Sequence, residues 1–496
     1  MSSASVPALG RDRTSLLIAQ GILLVLAGAT TAVVLEQASA RLGVLVAVLP
    51  LALVAAWALV GRPGVTLGIL TGAAIVAEES DVGFLSVTAH WYDEVAGGLQ
   101  LTDLLLGLLL VGVVVDGVRR RAGFPRLGVL AYPLALLAAG AAAGTLAGWV
   151  NPARNVDAFF DSLRILGYLV VVPFATAHVL ARDPDRRMRL AAGVVAALVG
   201  IKATVGLAAW VAGQGREFGE TRLVFYEPAM NFLLVALLLG VVAAWLSRLA
   251  VPRWLLLSTP VAVATLVLSF RRSFWIAAVL GLVIVLVVAT GRRGRPWVIL
   301  LTALLGVAVW LSLVGGGATT TTNPVVERAR SLSPTELTGN TDDRYRLDEQ
   351  KNVIEELRRH PLTGLGLGVP WSARHPLSVE NEGGRHYTHV TPLWFWLKLG
   401  PLGLAAYAWL TAAVIATGLA VWRRQQDRLL RVTGLAVAAA WVGLVVAELT
   451  GGFTGINRRI TLIEAAMIGW LAVAAARQPT TERYTSAVPA TMASRG

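Results

Sequence analysis

The sequence predicts an all-α polytopic membrane protein of about fourteen transmembrane helices, and three observations carry that expectation. Of its 496 residues 56% are hydrophobic and only 15% charged, with a mean hydropathy of +0.66, a balance foreign to a soluble domain of this size. Apolar runs of about 20 residues recur from end to end, the length a helix needs to cross a bilayer whose interior offers no water to backbone groups. Arginines gather at alternate junctions between these runs.

The first run follows a basic segment and is too long for a cleaved signal, so it reads as a retained helix whose N-terminus is cytoplasmic. Charges bound further runs, giving helices near 14–34, 43–61, 63–79, 101–117, 127–150, 163–180, 190–212, 229–247, 254–270, 273–290, 296–314, 393–421, 432–449 and 459–476. The junctions that should then be cytoplasmic hold Arg62, Arg119 to Arg121, Arg186, Arg187, Arg248, Arg292, Arg293, Arg423 and Arg424, as the enrichment of cytoplasmic loops in basic residues predicts. The formal charge of +13 therefore reports topology, and no nucleic-acid partner is expected. Cysteine is absent, which excludes disulfides, thiolate metal sites, iron–sulfur clusters and cysteine nucleophiles. The organisation is transmembrane helices one to eleven over 1–314, a large extracytoplasmic loop over 315–391, helices twelve to fourteen over 392–476, and a disordered cytoplasmic tail over 477–496.

Arginines at the expected outer helix ends lack the topological explanation. They are Arg216 and Arg222 before helix eight, Arg271 and Arg272 between helices nine and ten, and Arg458 and Arg459 before the last. Each alone could snorkel to lipid phosphate or pair with an acid; together they suggest an anion site. Arginine suits a diphosphate, because its planar fork makes parallel charge-assisted hydrogen bonds and keeps its proton.

The long polar stretch opens with a Gly/Thr connector, "GGGATTTTNP", followed by a helix in "TDDRYRLDEQKNVIEELRRHP". Thr341, Asp342 and Asp343 suit its N-terminus, Leu347, Ile354 and Leu357 share the expected apolar face, and His360-Pro361 ends it. The Gly-rich "LTGLGLGVPW" that follows lacks the Gly-Lys-Ser/Thr ending and preceding strand of a phosphate loop. Four histidines lie in this stretch, His360, His375, His386 and His389, but their spacing fits no usual zinc pattern. His389 stands at the mouth of helix twelve, where a neutral imidazole could take a proton from an alcohol or simply cap the helix. Glu380 and Glu382 are the competing general bases.

The run "HVTPLWFWLKLGPLG" resembles the His-x10-Gly signature of the O-antigen ligase and O-antigen polymerase superfamily, with His389 and Gly400 at the matching ends. The upstream "RLDEQKNVIEELRRHPLTGLGLG" is similar to that superfamily's arginine, amphipathic helix and Pro-Gly turn, with Arg346 at the arginine and Pro361, Gly364, Gly366 and Gly368 at the turn. "LSFRRSFWIA" and "RLVFYEPAMNFLL" resemble two further elements more loosely, aligning Arg272 with a motif arginine and Arg222 with an additional basic residue. The resemblance covers about residues 215–420. The frequent asparagine after the motif histidine is Val390 here.

The resemblance implies a C-type glycosyltransferase-like membrane fold in a bacterial plasma membrane, with both termini cytoplasmic. It implies transfer of a preassembled glycan, with inversion, from a polyprenyl (undecaprenyl) diphosphate-linked oligosaccharide to a hydroxyl of a glycan or lipid acceptor. His389, Arg272 and Arg346 are the expected catalytic residues, and Arg222, Arg271, Arg216, His386, Gly364, Gly366 and Glu380 the expected substrate contacts. Neither metal nor cofactor is expected: Glu36 is the single acid of a short first outer loop, where metal-dependent relatives of this fold class carry their ligands. A repeat-unit polymerase remains open, as does a lipid-linked sugar transporter, for which Lys202 would be the chief mid-span charge.

Overall fold

The computed structural model describes residues 53–78, 88, 91–96, 99–121, 123, 125–218, 221–225, 227–291, 341–377 and 384–477. The expected spans at 14–34 and 296–314, most of that at 43–61, the Gly/Thr connector, Glu36, Glu380, Glu382 and the tail beyond 477 lie outside the described residues. Within them, nine helices are long and apolar enough to cross a bilayer, or ten if the bent pair Leu53–Val60 and Pro63–Val76 forms one span. The protein is an all-α, multi-pass membrane protein. The count of about fourteen extends over stretches outside the described residues.

In chain order the helices are α1 (Pro63–Val76), α2 (Leu101–Arg120), α3 (Ala131–Val150), α4 (Val156–Leu180), α5 (Pro184–Val211), α6 (Pro228–Leu246), α7 (Arg253–Val267), α8 (Arg272–Thr290), α9 (Thr341–Arg359), α10 (Thr391–Arg424), α11 (Arg428–Glu448) and α12 (Arg458–Ala476). Two short antiparallel hairpins join them, β1 (Glu94–Ala96) with β2 (Leu99–Gln100) and β3 (Arg216–Phe218) with β4 (Thr221–Leu223). The chain divides into two compact units, Met1–Ile69 with Asp103–Phe124, and Leu70–Thr102 with Pro125–Gly496. In the smaller unit the Thr66 hydroxyl donates to the Leu59 carbonyl at 2.9 Å, across the bend before α1. Everything described below lies in the larger unit.

Helix starts follow capping chemistry more closely than hydropathy. The α4 run, expected from 163, begins at Val156, because the Asn155 side chain accepts from the Ala158 amide at 2.9 Å. The α5 run, expected from 190, begins at Pro184, with Asp183 as cap and the proline at the first turn. Asp427 and Asn457 cap α11 and α12 in the same way. Polar residues can thus extend a membrane helix beyond its apolar run, which is where the two readings differ.

Buried charge is balanced inside the bundle. Lys202 of α5 lies 2.9 Å from Glu78, just past the end of α1, and 3.9 Å from Glu227, the residue before α6. Arg459, in the first turn of α12, pairs with Glu227 and lies 3.9 Å from Glu78. The two cations also donate to the last carbonyls of α1: Arg459 to Ala74 at 2.9 Å and Ile75 at 3.1 Å, Lys202 to Ile75 and Val76, both at 3.0 Å. Three helix ends and the interior of α5 are joined here, and the carbonyl end of α1 gains the positive partners that its dipole favours.

This network corrects one expectation. Arg459 does not contribute to an outer anion site, because it is fully buried against Glu227. Arg458 is engaged as well, donating to both carboxylate oxygens of Asp161 on α4 at 2.8 and 3.0 Å. Lys202, the mid-span charge a transporter reading would use, is neutralised in the same network.

Removing one member of a buried ion cluster strands its partner, at a cost of about 3–5 kcal/mol. Arg459→Met is expected to lower the thermal midpoint of the detergent-purified protein markedly. Arg459→Met with Glu227→Leu should restore part of it, since the Lys202–Glu78 pair survives. A single variant as stable as the wild type would contradict this account.

Candidate functional site

The longest helix, α10, has 34 residues, about 51 Å at 1.5 Å per residue, more than the roughly 30 Å of a hydrocarbon core. It is broken at Gly400, whose φ of 68° and ψ of −167° lie outside helical space, and Pro401 follows. Proline has no N–H, so the Leu397 carbonyl loses its helical donor. The Leu365 amide supplies the replacement at 2.6 Å, while the Trp396 indole donates to the Pro361 carbonyl at 2.9 Å and Lys398 to Val369. The 361–369 turn therefore repairs the break, and a Cβ at Gly400 would lie 2.8 Å from the Leu362 carbonyl.

The turn's own glycines serve the same packing. At Gly366, with φ of 89°, a Cβ would come within 2.2 Å of the Gly148 amide nitrogen of α3. The Leu367 amide donates to Gly144, and the Gly368 carbonyl accepts from Asn155, both at 2.9 Å. Gly364 and Gly366 are expected substrate contacts, yet the groups around them here are backbone of α10 and α3. Their lack of side chains is explained by helix contact.

α9 packs over this turn, with Val353, Leu357, Trp371 and Leu397 forming a buried cluster. The expected apolar face is only partly right: Leu357 is buried, but Leu347 and Ile354 are 47% and 41% exposed. The buried face instead carries Tyr345, Glu349, Asn352, Val353 and Glu356, at helical spacing of three and four. Its polar members hold the chain that follows. Asn352 accepts from the Arg374 and His375 amides at 2.6 and 2.7 Å, and Glu356 accepts from the Ser372 amide at 3.3 Å.

Glu349 does the same for His389. One carboxylate oxygen, Oε2, stands 2.8 Å from the ring Nδ1 and 3.2 Å from the backbone nitrogen of His389. The carboxylate side chain is 1% exposed and the imidazole 25%. Tyr345 lies edge-on to the imidazole with ring centroids 5.9 Å apart, and Tyr387 is tilted against it at 5.4 Å. Among the described residues Nε2 makes no hydrogen bond, so the ring's second nitrogen is the available one. Two residues on, the Thr391 hydroxyl donates to Gly451 at 3.3 Å and accepts from the Phe453 amide at 3.0 Å, which roots the head of α10 in the 449–457 loop.

Arg346, on the same helix as Glu349, is half-buried next to Tyr345. Arg272 opens α8, and Phe274 one turn in packs its ring 5.4 Å from that of Phe453. Arg272 thus lies at the same end of the bundle as His389, with the 449–457 loop packed against the starts of both helices. The preceding turn is tight: Phe270 is buried with φ of 51°, a strained conformation for a bulky residue, and the Trp275 indole donates to Leu266 at 2.9 Å. Arg222 stands opposite Glu217 in the register of the β3–β4 hairpin, and the Val224 amide donates to Leu268, at the end of α7, at 3.2 Å. Arg216 opens that hairpin opposite Leu223. His386 lies against Gly368; burial, and then Lys398, holds its imidazole below the usual range, so it is neutral at pH 7. His375 and His360 are exposed. Among the described residues no group of three or more His, Asp or Glu side chains could hold a metal ion.

Glu349 has no counterpart among the expected site residues. The available signal was the i, i+4 and i+7 alignment of Tyr345, Glu349 and Asn352, polar groups on one face of a helix whose other face carries exposed leucine and isoleucine.

These features define a multi-pass helical membrane protein with a histidine–carboxylate pair at one end of the bundle and arginines from separate helices at that same end. Residues 255–408 match the family described as Wzy_C, O-Antigen ligase. The match runs from α7 into α10 and includes Arg271, Arg272, Arg346, Glu349 and His389, while Arg222 and Arg459 lie outside it. No curated protein matches the chain.

If Gly366 serves backbone packing, Gly366→Ala should reduce the yield of folded protein and its thermal midpoint, whether or not any substrate is added. Wild-type stability with a loss confined to substrate binding would instead make the turn a ligand cradle.

Proposed function

We propose that the protein is a glycosyltransferase of the O-antigen ligase type, moving a preassembled glycan from a polyprenyl diphosphate carrier to an acceptor hydroxyl, with inversion and without a metal. The observation that carries this is the available Nε2 of His389, held at the head of α10 within the O-antigen ligase domain. On this reading Nε2 takes the acceptor's proton, and the hydroxyl oxygen attacks the anomeric carbon from the face opposite the diphosphate. The carbon–oxygen bond to the carrier breaks as the new one forms. Polyprenyl diphosphate leaves with its charge held by Arg272 and Arg346, with Arg222, Arg271 and Arg216 as further contacts and His386 and Glu380 as further substrate-binding residues. Fixed cations aimed at a charged leaving group, with donor and acceptor positioned together, can carry such a step without nucleotide hydrolysis.

Topology agrees. The far ends of the helices carry Arg186, Arg187, Arg189, Arg248, Arg253, Arg423, Arg424, Arg428 and Arg431, so by the positive-inside rule that face is cytoplasmic and the His389 end is outside. A bacterial plasma membrane is the setting such a carrier requires.

In proteoliposomes supplied with lipid-linked oligosaccharide and acceptor, His389→Ala is expected to lower transfer on the order of 10²–10⁴-fold, and Arg272→Ala to weaken both donor binding and turnover. Near-normal rates in both variants would overturn the proposal. A single transferred glycan per acceptor is the expected product. A ladder of repeat lengths would mean that the acceptor is itself carrier-linked and the enzyme a polymerase.

A further inference from the structure

We infer that Glu349 is the positioning residue for His389, fixing which ring nitrogen carries the proton and holding the imidazolium once a proton has been taken; the catalytic consequence rests on the glycan-transfer reading above. Oε2 of Glu349 faces two nitrogens of one residue, the ring Nδ1 at 2.8 Å and the backbone nitrogen at 3.2 Å. The backbone N–H can only donate, so Oε2 is an acceptor there. A carboxylate is acceptor-only, so Nδ1 carries the ring proton and Nε2 the lone pair. The two contacts together fix the position of the ring and its rotation.

The electrostatics point the same way. Glu349 is buried, and its other oxygen, Oε1, is buried with no hydrogen-bond partner among the described residues. Half of a buried carboxylate left unsatisfied costs stability, and a neutral side chain would bind the two N–H groups at lower desolvation cost. The negative charge gains its return when His389 becomes cationic, because a neutral ring beside an anion is converted into a neutral ion pair. Neither Glu380 nor Glu382 is needed as the base. The acid comes from α9 and the base from the head of α10, so docking of α9 through Val353, Leu357 and Trp371 assembles the pair.

The test uses the full-length protein in lipid nanodiscs with ¹⁵N-labelled histidine rings, His389 being assigned by its disappearance in His389→Gln. The expected spectrum has Nδ1 protonated and Nε2 unprotonated at His389. Glu349→Gln should give mixed tautomers, lower kcat on the order of 10²–10⁴-fold and leave KM for the donor within about threefold, and Glu349→Asp should restore part of the rate. An Nε2-protonated ring in the wild type overturns the inference, as does a Glu349→Gln enzyme of wild-type kcat. If Glu349→Gln fails to fold, the wild-type tautomer and the Glu349→Asp rate decide alone. If the wild type transfers no glycan at all, the proposed reaction falls while the spectra still decide whether Glu349 fixes the ring.

Discussion

A membrane helix that breaks exposes backbone groups to a solvent that cannot bond them, and the break in α10 at Gly400 and Pro401 sets much of what surrounds it. The orphaned Leu397 carbonyl requires a donor, which comes from Leu365 in the turn after α9. Once that turn is pinned against α10 and against the end of α3, α9 has a fixed foundation, and its buried face meets the residues just before Thr391. The histidine at the helix head and the glutamate above it owe their spacing to a hydrogen bond two turns further down. The signature pairing of His389 with Gly400 becomes intelligible in these terms: one position bears the reactive ring and the other makes room for the turn that locks its partner in place.

The charge quartet answers the same solvent constraint by a different device. Two basic and two acidic side chains at 0–11% side-chain exposure would each be costly to bury alone, but interleaved with the carbonyl end of α1 they offset one another. The quartet joins α1, α5, α6 and α12 through side chains, whereas the turn after α9 is joined to α10 and α3 through backbone hydrogen bonds. Arg272 of α8 and Arg346 of α9 are the arginines proposed to meet a phosphorylated lipid.

Hydropathy made the fold class legible, because lipid selects apolar runs of a defined length and arginine marks their ends. Caps such as Asn155 and Asp183 extended helices where apolarity had already lapsed. The candidate site was legible only in part. His389, Arg346 and Arg272 are candidates drawn from motif spacing, whereas Arg458 and Arg459 look identical to such arginines until Asp161 and Glu227 are brought beside them from distant helices. The face of α9 was misjudged for an instructive reason. Hydrophobic periodicity finds the side of a helix that meets greasy neighbours, but the side that matters in α9 meets peptide groups and an imidazole, so its inward residues are Glu349, Asn352 and Glu356.

The acid and the base lie 40 residues apart, in segments that enter the membrane region at different moments of synthesis. A growing chain that has completed α8 and α9 possesses a glutamate awaiting its histidine. The pair comes into being only once the head of α10 has been made and brought against α9, so a chain that stops at α9 holds the carboxylate without the imidazole.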